Sequence, residues 1–542
     1  MPQWMSQWIE RTLVDLARQM RWSFLPPLMV YVAAGVSGLT AIVGTFFVKD
    51  YLGLSAAFLA ALGFWVGIPW ALKMPIGHLV DLIWRWKAML VYFGAGLIAA
   101  SLGIMYLLIV HRAAMVAIAP AEAWFVASTL LAPVGYVVQD VVADAMTVEA
   151  VPRHDEAGSP YSALRIREMH TTMQTLGRFA IISGSVFVAV LNIFMFSGIE
   201  TMSEADKIGV YADIYLVALA IPAISVSGTA LAAAQRRQRL TVLRQNGLDE
   251  TEIARIIAPP VEIAAPNWWI LGGGLAFVFF TVSLGLSSVP HAQEIIFVGS
   301  LVIVVFLMSR LIRELAPDVR RALVGTAIII FAFRAVPLPG AGLGWFEIDV
   351  LGFDQRFFSV LSLIASLLAL IGLILLRPLM AARSIAYIVV LLTVAGAILS
   401  LPNIGLYYGV QHWTAAMSGG VVDARFIAVI NTALESPLGQ IAMIPMLAWI
   451  ANNAPAHLKA TFFAVMASFT NLALSASSLG TKYLNQIFLV TREVRDPATG
   501  ALQLAADYGE LGWLLFTVLG VGLALPLAAV ALVQASRLRT RQ

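Results

Sequence analysis

The chain of 542 residues is 60% hydrophobic and only 12% charged, whereas soluble globular proteins are about 45–50% apolar and about 25% charged. This balance excludes a cytosolic enzyme, a nucleic-acid binder and a disordered scaffold, and a net charge of +3 provides no basic surface for nucleic acid. Cysteine is absent, which excludes disulfides, thiolate metal sites and cysteine nucleophiles.

The first 25 residues have the pattern of an amphipathic helix. Trp4, Trp8 and Ile9 recur at helical spacing, and Leu13 and Leu16 continue the same stripe. The segment lacks the basic start and the apolar run of a secretory signal. We therefore predict an interfacial helix over 1–25 that leads into the first span.

Apolar runs of about 20 residues follow along the whole chain, and each is long enough to cross ~30 Å of hydrocarbon as a helix. Six of them precede an arginine-rich polar linker at 235–266, and eight follow it. The sequence thus predicts an all-α polytopic membrane protein with fourteen spans, near 26–48, 52–72, 88–110, 123–147, 172–196, 210–234, 267–287, 293–309, 322–340, 357–376, 384–402, 425–451, 457–485 and 511–534. A basic tail, 535–542, completes the chain.

Lysine and arginine are unevenly distributed between the loops. If the N-terminus is cytoplasmic, the loops on that side carry roughly three times as many basic residues as the loops outside. An even number of spans returns the chain to its starting side. We expect a multi-pass protein of an inner or plasma membrane with both termini in the cytoplasm.

A charged loop follows the second span. It contains Gly77, Asp81, Arg85 and Lys87; a glycine lets helices approach closely, and the acid can pair with a nearby base. The spacing resembles the G-x-L-x-D-x-x-x-R-x-K loop that latches the cytoplasmic gate of major facilitator transporters, and we assign these four residues to gating. An ordinary basic loop with one acid is the alternative.

Two acids lie inside the fourth span. Asp140 and Asp144 are four residues apart and therefore share a helix face. Asp140 lies about 10 Å from the cytoplasmic end, and Arg178 of the fifth span matches it in depth. An acid at this depth should be paired, protonated or in contact with water. We expect all three residues to handle substrate or protons; an ion pair that only ties spans four and five together is the alternative.

Two further charges lie near the middle of the membrane in the second half of the chain. Arg334 and Glu435 are each about ten residues inside their spans, with glycine and proline nearby. A central arginine should face a cavity or an acid, and broken helices are common around transporter ligands. We expect both residues to bind substrate or protons; a purely structural pair is the alternative.

Other signals for chemistry are weak. Residues 339–344 are rich in glycine but follow no strand, the histidines form no H-x-x-x-H pair, and the sequence contains no Walker loop. The sequence therefore predicts no enzyme, no cofactor and no metal site.

The chain resembles the folate–biopterin transporter family of the major facilitator superfamily over roughly 26–190 and 325–485. The motifs that carry the resemblance are Pro69-Trp70-x-x-Lys73 with Asp81, and Asp140-Val-Val-Ala-Asp144-Ala145. In the second half they are the stretch from Phe331 to Phe353 and the run Lys459-Ala-Thr461-Phe-Phe-Ala464. The aspartate motif, with Gly177-Arg178, also resembles the related muropeptide permeases.

This resemblance implies a major facilitator fold with two six-helix halves, 26–234 and 322–534. The two spans over 267–309 then form an inserted hairpin between the halves, which departs from the family's pattern. It implies a secondary transporter that moves an organic anion, such as a folate or pterin, by alternating access with protons. A muropeptide or another small anion is the alternative substrate. A non-transporting membrane scaffold or assembly factor is the alternative of another class, and the inserted hairpin is where a protein partner would bind.

Overall fold

The computed structural model describes residues 20–52, 54–83, 86–152, 160–257, 266–287, 289–314, 316–375, 383–439, 459–495 and 502–539. In this part of the chain, eleven helical segments are long and apolar enough to cross a membrane. The predicted interfacial helix over 1–25 lies almost wholly outside the described residues. We call the membrane face at which the first span begins the near face, and the opposite one the far face.

The first half of the chain forms helices that run from face to face, and several begin at a serine cap. Ser55, Ser162 and Ser203 each accept a hydrogen bond from a backbone N–H of the following turn, which satisfies a donor that the helix leaves free. The helices are α1 (Leu25–Val36), α2 (Ala41–Tyr51), α3 (Ala56–Ala71), α4 (Lys73–Leu82), α5 (Lys87–Val110), α6 (Arg112–Ile118), α7 (Ala121–Ala150), α8 (Ala163–Met195), α9 (Glu204–Ala218) and α10 (Ala220–Gln245). Short 3₁₀ turns cover Trp22–Phe24, Ser37–Thr40 and Ile199–Thr201.

The middle and the second half of the chain are also mainly helical. Helices α11 (Glu250–Ile257), α12 (Trp268–Gly285) and α13 (Ala292–Leu311) come first, with a 3₁₀ turn over Ile312–Glu314. They are followed by α14 (Pro317–Arg334), α15 (Ala341–Asp349), α16 (Gln355–Leu375), α17 (Ile385–Tyr407), α18 (Val410–Met417), α19 (Ala424–Gly439), α20 (Lys459–Ile487) and α21 (Leu511–Ala535). Strands β1 (Val494–Arg495) and β2 (Leu502–Leu504) pair antiparallel between α20 and α21.

Eleven of the fourteen predicted spans coincide with the helices that can cross a membrane. The structure has the helices α14, α19 and α20 at the other three predicted positions. Helix α10 continues to Gln245, so the first part of the predicted linker 235–266 is helical. The predicted twelfth span, 425–451, extends beyond Gly439 into residues that the structure does not describe.

The two halves meet along two pairs of helices. Helix α3 packs against α20, and α8 packs against α16. The inserted hairpin, α12 and α13, lies beside the first of these seams and packs against α4 and α20.

The predicted span 322–340 is wrong at its end, because helix α14 stops at Arg334. Residues 335–340 are not helical, since Pro337 and Pro339 lack the N–H that a helix needs and Gly340 has a φ of 79°. A short separate helix, α15, follows at the far face.

The backbone groups that this break leaves free are bonded by one face of α20. Ser477 Oγ donates to the carbonyl of Val336 at 2.6 Å, and the N–H of Leu338 donates to Thr481 Oγ1 at 2.9 Å. Asn485 Nδ2, a further turn along, donates to the carbonyl of Pro339 at 3.1 Å. Such side-chain partners are what makes irregular backbone tolerable within a membrane protein.

Candidate functional site

A partly buried charge cluster joins three helices of the first half. The ammonium group of Lys73 lies 2.6 Å from Asp140 Oδ2 and 2.9 Å from Asp144 Oδ2. The hydroxyl of Tyr31 donates to Asp144 Oδ1 at 2.7 Å. We call these four residues, together with Arg178, the charged cluster.

The chain positions each member of the charged cluster by a local feature. Helix α3 contains Pro69 and ends at Ala71, so Lys73 becomes the first residue of α4. A cation at a helix N-terminus is opposed by the helix dipole, and the two carboxylates of α7 offset this. Their spacing of four residues places both on the same face. Lys73 and Asp140 are 20% and 19% exposed, while Asp144 is 46% exposed.

Arg178 lies beside the cluster without joining it directly. Its side chain is exposed, and within the described ranges no carboxylate lies within ion-pair distance of it. It acts electrostatically on Asp140 and Tyr31. The preceding Gly177 allows this approach, because a Cβ there would lie 2.8 Å from the ring of Tyr31.

The alternative of an Asp140–Arg178 ion pair is therefore wrong, since Asp140 pairs with Lys73 instead. The cluster contains two cations and two carboxylates, so its formal net charge is zero. Arg178 is the more exposed of the two cations.

Arg334 and Glu435 are not brought together. Arg334 is the last residue of α14, where the helix dipole favours a cation. Its Nε is buried and has no hydrogen-bond partner among the described residues. Glu435 is exposed on α19, and the described part of the chain contains no ion pair between the two. The alternative of a structural pair between them is therefore wrong, because equal depth does not fix the direction in which each side chain points. The expectation that both residues bind substrate or protons stays a prediction.

The predicted gating loop is partly helical. Gly77 and Asp81 belong to α4, and a Cβ at Gly77 would be in ordinary contact with the side chain of Val141 on α7, at 3.8 Å. Lys87 begins α5 and pairs with Glu149 at 2.8 Å. Arg85 and the side chain of Asp81 lie outside the described residues, so the gating assignment stays a prediction.

At the far face the two halves are held together. Lys49 Nζ at the end of α2 lies 2.6 Å from Asp349 Oδ1 of α15. Gln355 Nε2 of α16 donates to the hydroxyl of Tyr211 at 2.7 Å, and Tyr211 is only 1% exposed. Ile348 packs against the hydrophobic core of the first half. These contacts join the two halves at the far face, whereas the charged residues nearer the other face keep exposed surface.

Lys73, Tyr31 and the far-face pair of Lys49 with Asp349 were not among the predicted site residues. The predicted second span ended at residue 72, so Lys73 counted as a loop residue. The signal that could have found it was the spacing Pro69-Trp70-x-x-Lys73, because a proline near the end of an apolar run kinks or ends the helix, and Lys73 begins the helix that follows.

A family model described as the BT1 family matches residues 34–540. The chain belongs to the BT1 family. A folate-biopterin transporter from Synechocystis sp. is 21% identical over 473 residues, which cover 85% of this chain and 74% of that protein. The members of this family are transporters, and so is this relative. The protein is therefore a membrane transporter and not an enzyme.

Solved transporter structures share the fold of this BT1-family protein. A peptide transporter of the POT type in complex with alafosfalin has a TM-score of 0.60 at 15% identity, covering 95% of this chain and 94% of that chain. The nucleoside transporter NupG has a TM-score of 0.54 at 13% identity, covering 94% and 98%. The likeness shows the major facilitator fold that the sequence predicted.

Proposed function

We propose that this BT1-family protein moves an organic anion of the folate or pterin class across an inner or plasma membrane, together with protons, by alternating access. The observation that carries the proposal is the charged cluster, in which Lys73 is shared between Asp140 and Asp144 while Arg178 remains open. Charged groups inside the membrane are costly, and in transporters they mark substrate and proton pathways.

The substrate class follows from the available cations. Arg178 is exposed beside the cluster, and the buried Nε of Arg334 has no partner among the described residues. A guanidinium binds carboxylate oxygens with paired, charge-assisted hydrogen bonds. An anion with separated carboxylates and an aromatic ring system suits two such groups, and the folate-biopterin relative supports this class.

The charge balance supports proton coupling. Because the cluster is neutral as it stands, a carboxylate that binds to Arg178 adds one uncompensated negative charge. One proton on Asp140 or Asp144 would restore neutrality, and neutrality matters in a site that is partly shielded from water. We therefore expect about one proton to move for each carboxylate that enters the site.

The conformation supports alternating access. Contacts between the halves close the far face, while Asp144, Arg178 and Glu435 keep exposed surface. A transporter with one face closed and its site exposed on the other side is in one of the two states that alternating access requires. We assign the near face, at which the first span begins and α21 ends, to the cytoplasm because of its excess of lysine and arginine.

A thermal-shift screen of the purified protein tests the substrate class. Folate as the probe should raise the melting temperature, since a ligand at about 100 times its Kd stabilises by about 2.7 kcal/mol. Arg178→Gln should remove most of this stabilisation, and Arg237→Gln, on an exposed part of α10, should leave it unchanged. Stabilisation by a muramyl peptide and not by folates or pterins would contradict the proposed class.

A further inference from the structure

The inserted hairpin holds both halves of the transporter at its far end. Gln293 Nε2 donates to the carbonyl of Ala61 on α3 at 3.1 Å. The adjacent Glu294 accepts from Lys482 Nζ at 2.9 Å and from the hydroxyl of Tyr483 at 2.6 Å. Two successive residues of α13 thus contact the first half through α3 and the second half through α20.

Hydrophobic packing repeats this bridge. Phe277 of α12 and Ile296 of α13 share one cluster with Phe64 of α3 and Leu479 of α20. All four are at most 7% exposed. The hairpin therefore packs one face on the seam between the halves and contributes buried side chains there.

The attachment to the first half extends along the whole hairpin. At the near end, the N–H of Asn267 donates to His78 Nε2 at 2.8 Å. Further along, a Cβ at Gly274 would lie 2.5 Å from Pro75, and at the far end a Cβ at Gly285 would lie 2.8 Å from Trp65. Such close approach is typical of helices that pack through small residues.

The attachment to the second half differs, because its polar contacts among the described residues lie at the far end. They are made by Gln293 and Glu294 to Lys482 and Tyr483. The remaining contact is apolar, with Val304 and Met308 beside Leu472. Apolar side chains are non-directional and can slide over one another, whereas an ion pair must break when its partners separate.

We infer that the hairpin moves with the first half of the transporter. We further infer that the Glu294–Lys482 ion pair acts as a catch, which means that it stabilises the conformation in which α20 of the second half lies against the hairpin and the far face is closed. The inference rests on the alternating access of the proposed function. Glu294 and Lys482 are 24% and 17% exposed, so separating them leaves two poorly solvated charges. The catch stabilises the far-closed state and slows opening toward the far face.

Cysteine labelling tests this directly, because the chain has no cysteine of its own. Ser359 is fully buried on α16, which packs against the first half, so Ser359→Cys reports far-face opening to a membrane-impermeant maleimide. Adding Glu294→Gln should raise the labelling rate about tenfold, since bonds to a charged group are lost. Glu510→Gln, an exposed far-face control, should leave the rate unchanged.

Two further variants keep the test decisive if Glu294→Gln folds poorly. Tyr483→Phe removes one hydroxyl and should raise the rate by a smaller factor, about threefold. The exchange of Glu294→Lys with Lys482→Glu should restore slow labelling. Unchanged labelling in both Glu294→Gln and Tyr483→Phe, with melting temperatures equal to the parent, would overturn the inference.

The assay separates this inference from the proposed function. Labelling requires neither an anion nor a proton gradient. If folate and pterins fail to bind but Glu294→Gln still accelerates labelling, the catch stands and the substrate proposal fails. If folate is transported but the labelling is insensitive to Glu294→Gln and Tyr483→Phe, the catch fails alone.

Discussion

Replacing Lys73 with glutamine tests the charged cluster as a structural unit. The substitution removes one ammonium group that lies 2.6 Å and 2.9 Å from two carboxylates. Removing one partner of a buried ion pair costs about 3–5 kcal/mol. Because Asp144 is 46% exposed and partly solvated, we expect the lower end, about 3 kcal/mol of unfolding free energy.

Unfolding of the purified protein in detergent, followed by helical circular dichroism, measures this loss. The double variant Lys73→Gln with Asp140→Asn should recover about 2 kcal/mol of the unfolding free energy that Lys73→Gln loses. The reason is that it leaves one carboxylate without a cation, and not two. Lys207→Gln is a matched control, since Lys207 pairs with Glu204 at 2.8 Å on the surface and should cost less than about 1 kcal/mol. If Lys73→Gln costs no more than Lys207→Gln, or if the two single losses at Lys73 and Asp140 simply add, the cluster is not a coupled unit.

Three further predictions concern other parts of the site. Arg334→Gln should leave a folded protein whose anion binding is at least about tenfold weaker in a thermal-shift titration; unchanged affinity would remove Arg334 from the site. Asp349→Asn breaks the pair with Lys49 and should accelerate maleimide labelling of Ser359→Cys from the far face, and a rate equal to the parent would show that this pair does not hold the face closed. Burial raises the pKa of Glu347, on the short helix α15, to about 7. We expect opening of the far face to hydrate this side chain and lower its pKa, so that a rise in pH from 6 to 8 favours the open state and labelling quickens more steeply than in Glu347→Gln. Glu347→Gln should keep only the pH dependence of the cysteine thiolate itself, and a pH profile equal to that of the parent would contradict this.

Most of the spans follow from the sequence because apolar length is a local property. The run at 88–110 became the helix Lys87–Val110, and the run at 511–534 became Leu511–Ala535. The end of α14 could not be placed in the same way. Its break at 335–340 is stabilised by Ser477, Thr481 and Asn485, which lie more than 140 residues further along the chain.

The site was predictable where spacing alone determines it. Asp140 and Asp144 share a helix face because they are four residues apart. The lysine that pairs with both aspartates could not be predicted from spacing, since Lys73 is 67 residues away from Asp140 and lies just beyond a predicted span. Depth likewise suggested a partner for Arg334, but the direction of a side chain depends on how the helices are rotated, and that is set by tertiary packing.

Proton-driven accumulation in proteoliposomes tests the central claim most directly. With an acidic exterior, the wild-type protein should concentrate labelled folate above its equilibrium level while the exterior becomes more alkaline. Asp140→Asn should still exchange internal for external folate but should not accumulate it, and Asp318→Asn, an exposed control, should behave as wild type. Folate accumulation that is independent of the pH gradient, or that survives Asp140→Asn unchanged, would contradict the assignment of proton coupling to the charged cluster.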